Sequence, residues 1–218
     1  MNGNCHHLKS NVKRALRGIA FCIPILRDIV RTSGTAAPIT WRGSLLRKIL
    51  GFNRGAYWPM HPTSCVVNPK WVRTGIGTAP GLSRGCYIQA INGIEIGDYT
   101  NIAPNVGLIS ANHDPYCTNE HVSVEPIRIG RYCWIGMNAV ILPGVTLGDH
   151  TVVGAGAVVA RSFPDGYCVL GGVPARLIKK LDPARIREHR NQYEYVGYHF
   201  LGAKTKDQIF EKLGVVKR

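Results

Sequence analysis

The chain of 218 residues has no long apolar run. Its most hydrophobic stretch, GIAFCIPIL at residues 18–26, is nine residues long and holds Pro24. A bilayer-spanning helix needs about 20 such residues. Arg27 and Asp28 follow at once, and no small-residue cleavage site precedes them, so the stretch does not read as a signal peptide. There is no C-x-x-C. The seven cysteines (Cys5, Cys22, Cys65, Cys86, Cys117, Cys133, Cys168) are odd in number and lack a pairing rhythm. That argues against a disulfide framework and predicts a reducing compartment, the cytoplasm. A dinucleotide fingerprint is missing too, because GIGTAPG at residues 75–81 has Pro80 where the third glycine belongs. GLSRG at residues 81–85 fits G-x-S-x-G in letters, but that motif needs a strand, a sharp turn and a helix. Leu82 is instead in phase with Ile76 and Ile88. Acids are scarce at the ends. Residues 1–60 hold ten Lys/Arg and one acid, Asp28, and residues 176–218 hold eleven Lys/Arg and five acids. Residues 61–175 are near neutral, with six Lys/Arg and seven acids. The net charge of +14 therefore sits on two extensions and predicts an anionic neighbour for them. No nucleic-acid motif accompanies it, and no nucleic-acid partner is expected.

Glycine (25) and proline (13) are plentiful, as a turn-rich all-β fold requires. From Ile127 to Ser162 an aliphatic residue returns at every sixth position: Ile129, Ile135, Ile141, Leu147, Val153, Val159. Glycine follows at Gly130, Gly136, Gly148 and Gly154. Four places after each aliphatic stands a smaller residue: Cys133, Ala139, Val145, Thr151, Ala157. A helix repeats at 3.6 and a strand at 2, so a period of six means a small unit stacked on itself. Each unit supplies one short strand and one corner. Three units close a triangular coil of roughly eighteen residues, and coils stack at about 4.8 Å. The expected core is a parallel β-helix over residues 61–181. Cys133 falls on an inward position and reads as a small buried hydrophobe.

The repeat is less regular at first. Ile76, Leu82 and Ile88 are six apart, and so are Ile96, Ile102 and Leu108, but shifted by two at Asn92-Gly93, a predicted bulge or enlarged corner. Residues 114–126 interrupt it. Leu108 and Ile129 are twenty-one apart, three more than whole hexapeptides, so a polar loop protrudes there. Residues 1–60 form a basic, partly helical extension, with helices expected over 9–30 and 44–50. Two readings stand for it: an arm packed on the β-helix or a neighbouring subunit, and a peripheral anchor on an anionic membrane through residues 18–26. Cys5, His6 and His7 lack ligand partners at useful spacing. Residues 182–218 form a C-terminal helical extension. Asp182-Pro183 is an N-cap followed by proline at the first helical position and predicts a basic helix. Tyr193, Tyr195, Tyr198 and Phe200 follow, then a last helix over 205–213. These are expected to close the C-terminal end of the β-helix, with a sugar platform as the other option.

The tandem hexapeptides, the CWIG step at residues 133–136 and the closing GGVPARLIKKL at residues 171–181 resemble the hexapeptide-repeat acyltransferases. The similarity is to the branch of maltose and galactoside O-acetyltransferases and their polysaccharide-modifying relatives. It covers residues 61–181. It implies a left-handed β-helix, a homotrimer and acetyl-CoA as co-substrate.

His113 is the main catalytic candidate. Acetyl transfer to a hydroxyl needs a base as oxygen attacks the thioester, and imidazole suits that task near neutrality. His113 stands where the coil gives way to the loop, and the resemblance places a catalytic histidine there. Its other ring nitrogen needs an orienter. Glu120, in the loop where the sugar acetyltransferases carry an acidic helper, and Asp114 are the candidates. Ser83 stands where family members carry an acceptor-binding asparagine, a departure that leaves the acceptor open. Asn92 is a second candidate acceptor contact. By resemblance Trp134 flanks the pantetheine arm and the catalytic histidine. Backbone groups around Gly136, Ala155 and Ala160 would bond the cofactor's amides. Arg161, Arg176 and Lys179 would meet its phosphates, and an N–H near Met137 would hold the oxyanion. His113, His121 and His150 invite comparison with zinc enzymes of the same fold, but His150 is expected on an exposed corner, so no metal is expected. The reading is an O-acetyltransferase acting on a sugar hydroxyl of a glycan or its precursor. A xenobiotic or amino-sugar N-acetyltransferase, or a non-catalytic scaffold, are the alternatives.

Overall fold

The computed structural model describes residues 24–217, and the backbone alone of Leu46, Arg47 and Lys48. The chain winds through three sheets in rotation. Face 1 stacks Cys65–Val67, Tyr87–Gln89, Gly107–Ile109, Val140–Ile141 and Val158–Val159. Face 2 stacks Val72–Thr74, Ile94–Ile96, Ile127–Ile129 and Thr146–Leu147. Face 3 stacks Asn101–Ile102, Trp134–Ile135, Thr151–Val153 and Cys168–Gly171, and its edge is extended by antiparallel Arg176–Lys180. Within the coils all pairing is parallel, as in Ile141 with Val159 and Ile135 with Val153. The result is a triangular prism.

The six-residue pattern acts through burial. The aliphatics from Ile129 to Val159 are all at most 3% exposed, and Cys133, Ala139, Val145, Thr151 and Ala157 at most 2%. Large and small inward residues alternate, so each layer fills the prism without overpacking. Glycine at a corner has a steric cause. A Cβ on Gly136 would lie 2.6 Å from the Val153 carbonyl oxygen of the next coil, closer than atoms tolerate. Burial pushes the Cys133 thiol up to about 11, with Cys86 and Cys168 also raised by burial.

Paired residues are 18 apart after the insertion, as in Ile141 and Val159, and 33 apart across it, as in Leu108 and Ile141. The insertion is thus fifteen residues, larger than the remainder of three suggests. The earlier two-residue shift falls at the Asn92-Gly93 corner: Ile88 and Ile96 lead successive faces eight positions apart, against six for Ile135 and Ile141.

The corner between faces 2 and 3 carries left-handed residues in successive coils: Tyr99, Tyr132, His150 and Tyr167, with φ from 46° to 56°. Their rings stack into a ladder. Tyr99 and Tyr132 are 5.2 Å apart, Tyr132 and His150 5.2 Å with nearly parallel planes, His150 and Tyr167 4.9 Å. His150 is 6% exposed and pairs with Glu188 at 3.0 Å. The expectation of an exposed corner histidine is corrected: coil stacking buries the ring between two tyrosines.

The basic helix expected after Asp182 is absent. Asp182 does cap, accepting from Ala184 N, but only a 3-10 turn, Pro183–Arg185, follows. The chain then runs back along the ladder. Tyr132 Oη donates to His189 O at 3.0 Å, and Tyr99 Oη to Glu194 Oε1 at 2.9 Å. Side-chain anchors on the prism, rather than internal turns, satisfy this segment. It reaches the first coils, not the last, a second correction. There a hairpin (Tyr195–Val196 with His199–Phe200) and the last helix cover the N-terminal end of the prism.

The N-terminal extension meets them. Helix α1, Pro24–Thr32, packs on the hairpin: Asp28 accepts from Tyr195 Oη at 2.9 Å, and Arg31 lies over Tyr193 and Phe200. Helix α2, Trp41–Ile49, is capped by Thr40 Oγ1, which accepts from Gly43 N. Trp58 plugs the first coil, fully buried, its indole donating to Pro80 O at 2.7 Å. Helix α3, Lys206–Leu213, sets Phe210 against Tyr57. The expected helix over 9–30 lies in part outside the described residues, as do Cys5, His6, His7 and most of residues 18–26. Among the described residues no helix is long and apolar enough to cross a membrane.

Ile135→Ala, in the middle of the stack, should lower the unfolding free energy by about 2–5 kcal/mol in urea titration. Among the described cysteines, exposed Cys65 and Cys117 should react with a thiol-specific disulfide reagent at pH 8 in the folded protein. Cys86, Cys133 and Cys168 should react only after unfolding.

Candidate active site

The fifteen-residue insertion leaves the corner between faces 1 and 2 as a hairpin. Val122 N donates to Asn112 O and Asp114 N to Glu120 O, each at 2.9 Å. These bonds set His113 opposite His121, with ring centroids 4.3 Å apart. The hairpin base is pinned by the coil beneath it. Asn92 Nδ2 donates to Ser110 O and Val122 O at 2.9 Å, and Ala111 N donates to Gln89 Oε1. Asn92 is 5% exposed, so it serves as the anchor of the hairpin and not as an acceptor contact. That corrects its expected role.

His113 is exposed, and its Nδ1 lies 2.6 Å from Thr118 O. A carbonyl oxygen only accepts, so Nδ1 carries the hydrogen of this bond. In the neutral ring Nε2 is then the unprotonated nitrogen, able to take a proton. The partner of Nδ1 is thus a backbone carbonyl, and no bond from Glu120 or Asp114 to the ring accompanies it. Asp114 Oδ1 accepts from Tyr116 N at 2.7 Å and Cys117 N at 3.1 Å, an Asx turn that shapes the loop tip. Glu120 meets Cys117 and Asp114 through its backbone, and its side chain is exposed. Thr118 had no signal in the sequence, since a backbone acceptor has no residue-type signature, and His121 was singled out there only in a comparison with zinc sites.

A second feature lies on the corner between faces 3 and 1. An open groove of about 520 Å³ is lined by Ser83, Trp134, Gly136, Met137 and Ala155, with Ala36 of the extension. Five of the expected site residues are therefore together. Small corner residues leave backbone exposed along the groove, and Trp134, 50% exposed, forms its apolar wall. Ser83 Oγ donates to Ile102 O at 2.8 Å and retains its lone pairs. Ala160, Arg161, Arg176 and Lys179 do not line it. Arg161 lies over the Phe163 ring. Lys179 closes an outward row on face 3, in register with Val169, Val152 and Trp134. His113 does not line the groove either. Face 1 separates them, so within one chain Trp134 does not meet His113. Among the described residues no group of three or more His, Cys, Asp or Glu is arranged to hold a metal ion.

Residues 126–161 match the bacterial transferase hexapeptide (six repeats) family. Galactoside O-acetyltransferase of Escherichia coli (strain K12) is 41% identical over 92 residues, 41% of this chain and 45% of that protein. The putative colanic acid biosynthesis acetyltransferase WcaF of the same strain is 31% identical over 140 residues, 64% of this chain and 75% of WcaF. A solved galactoside acetyltransferase in complex with coenzyme A superimposes with a TM-score of 0.55 at 26% identity, covering 80% of this chain and 90% of that one. The match to the curated galactoside enzyme thus spans under half of its length, whereas that to WcaF spans three quarters. The class defined is the left-handed parallel β-helix of hexapeptide repeats. The chain belongs to the hexapeptide-repeat acyltransferase family.

Asn92→Ala leaves the buried Ser110 carbonyl and the part-buried Val122 carbonyl without their side-chain donor, a cost of about 1–3 kcal/mol. The hairpin should open more often, and chymotrypsin should cut at the fully exposed Tyr116 roughly tenfold faster or more, while the urea midpoint moves far less.

Proposed function

We propose that this protein moves an acetyl group from acetyl-CoA to a hydroxyl of a sugar in a glycan or glycan precursor, with His113 as general base. The observation that supports this most is the His113 geometry: an exposed imidazole whose Nδ1–H is held by Thr118 O, leaving Nε2 as a proton acceptor. Nε2 takes the acceptor's hydroxyl proton as its oxygen attacks the thioester carbonyl. The tetrahedral oxyanion collapses, the C–S bond breaks, and the imidazolium returns the proton to the CoA thiolate. A backbone N–H at the Gly136–Met137 corner is the candidate oxyanion donor.

Acetyl-CoA would lie in the groove, its pantetheine arm along Trp134 and the small corner residues. Arg176 and Lys179, exposed on the edge strand of face 3, are the candidates for its phosphates, with Arg161 nearby in sequence. The histidine and the groove occupy different corners of one prism. A neighbouring copy in a closed cyclic assembly would set one chain's His113 against the next chain's groove, and the family resemblance implies three copies. The relatives named for galactoside and colanic acid acetylation support a sugar acceptor.

His113→Ala should lower single-turnover acetyl transfer roughly 10²–10⁴-fold at matched CoA occupancy, with CoA binding and assembly retained. Equal rates would remove His113 from the mechanism. Light scattering should give the mass of three chains. An active monomer would overturn the shared site.

A further inference from the structure

Helix α2 turns an apolar stripe to solvent. A surface helix ordinarily buries its apolar stripe and exposes its polar side. Here the small residues face the protein: Ser44 is 9% exposed, and Gly43 lines a narrow cleft with Trp58, Met60 and Tyr198. Among the described side chains of the helix, the large apolar residues face outward. Trp41 is 60% exposed, Leu45 47% and Ile49 70%, at positions i, i+4 and i+8 of one face. Leu50 (61%) and Phe52 (46%) continue the patch past the helix end. Isolated exposed apolar residues are ordinary, but a contiguous stripe of five marks a contact surface.

Charge decides what covers it. Arg42 is exposed, its guanidinium 5.4 Å from the Trp41 ring, and Arg54 lies just beyond Phe52. The sequence adds Arg47 and Lys48 within the helix. The one acid of residues 1–60, Asp28, is already engaged by Tyr195 Oη and Arg27. A second copy docked here would bring two cationic faces together. Residues 1–23 of the same chain would add Lys9, Lys13, Arg14 and Arg17 and no acid. An anionic bilayer surface accepts both features: headgroups meet the cations, and the indole and aliphatic side chains enter the boundary of the acyl region.

We propose that α2 docks the protein in the plane of an anionic lipid surface through Trp41, Leu45, Ile49, Leu50 and Phe52, with Arg42 and Arg54 at the headgroups. The contact lies on α2 and not on the apolar run at residues 18–26. It is independent of the acetyl-transfer reading, because lipid partition needs no turnover. In a cyclic trimer the three helices would share one end of the assembly and face the same plane, multiplying a weak individual contact.

The test is co-sedimentation of the full chain with vesicles of phosphatidylcholine containing phosphatidylglycerol. Binding should weaken with salt. It should fall by about tenfold or more in the variant Trp41→Ser/Leu45→Ser/Ile49→Ser. In a second measurement, brominated lipid should quench indole fluorescence of the wild type, and Trp41→Phe should abolish that quenching. Undiminished binding by the triple variant would assign the contact to residues 1–23 and overturn the proposal. So would failure of the wild type to bind, or persistent quenching in Trp41→Phe. A triple variant that changes only the assembly mass would make the stripe an interface between copies, which also overturns it. None of these outcomes bears on acetyl transfer, which is assayed separately on a soluble acceptor.

Discussion

Each coil must lie one strand spacing from the next, and the rest of the molecule follows from that distance. Backbone hydrogen bonds between coils fix it at about 4.8 Å. Any residue at a corner therefore sits directly over another corner. Where backbones nearly touch, as between Gly136 and Val153, only glycine fits. Where the corner turns through the left-handed region, side chains project outward and stack, producing the ladder of Tyr99, Tyr132, His150 and Tyr167. Inside the prism the same spacing puts aliphatic over aliphatic. One repeat distance thus sets core, corners and surface.

The two candidate functional features lie where that constraint is relaxed or left bare. The hairpin escapes it by fifteen residues, and Asn92 ties the escape to the coil below, so His113 is displayed on a rigid base. The groove lies on the opposite side of face 1, where small corners expose backbone for a ligand. A prism is too stiff to bend one corner toward another. Bringing a base on one corner to a groove on another therefore calls for a second rigid body, and on the trimer reading assembly replaces the domain closure that other enzymes use.

Period-six patterning and glycine corners made the coil legible in the sequence, because both are dictated by local burial and sterics. The groove residues Trp134, Gly136, Met137 and Ala155 were legible for the same reason, since stacking carries sequence order directly into space. The display of His113 on the protruding loop was legible by its place at the end of a regular coil. The errors fell where contacts are long-range or lack side-chain identity. The ring of His113 is held by a backbone oxygen of Thr118 and not by the loop acids. His150 looked like a solvent-facing corner residue because nothing in GDHT announces that tyrosines of neighbouring coils cover it. A basic helix was expected after Asp182-Pro183 because an N-cap followed by proline is spelled there, yet the partners of the segment are prism side chains distant in sequence, such as Tyr132 for His189. Asn92 passed for a ligand contact because a buried amide and a displayed one are spelled alike.

The return of the C-terminal segment along the ladder changes how the stack can fail. A linear array of repeats behaves as a one-dimensional chain of neighbours and peels from its ends, terminal unit first. Here the two sequence extensions are fastened to each other at a single end, through α1, the hairpin and α3, and one of them has already travelled back across the intervening coils to get there. The first coil cannot fray without releasing both extensions, and the middle coils carry the returning segment as a lashing. Loss of structure is thereby pushed toward a single cooperative event, with the coil order closed into a circuit and not left as an open line.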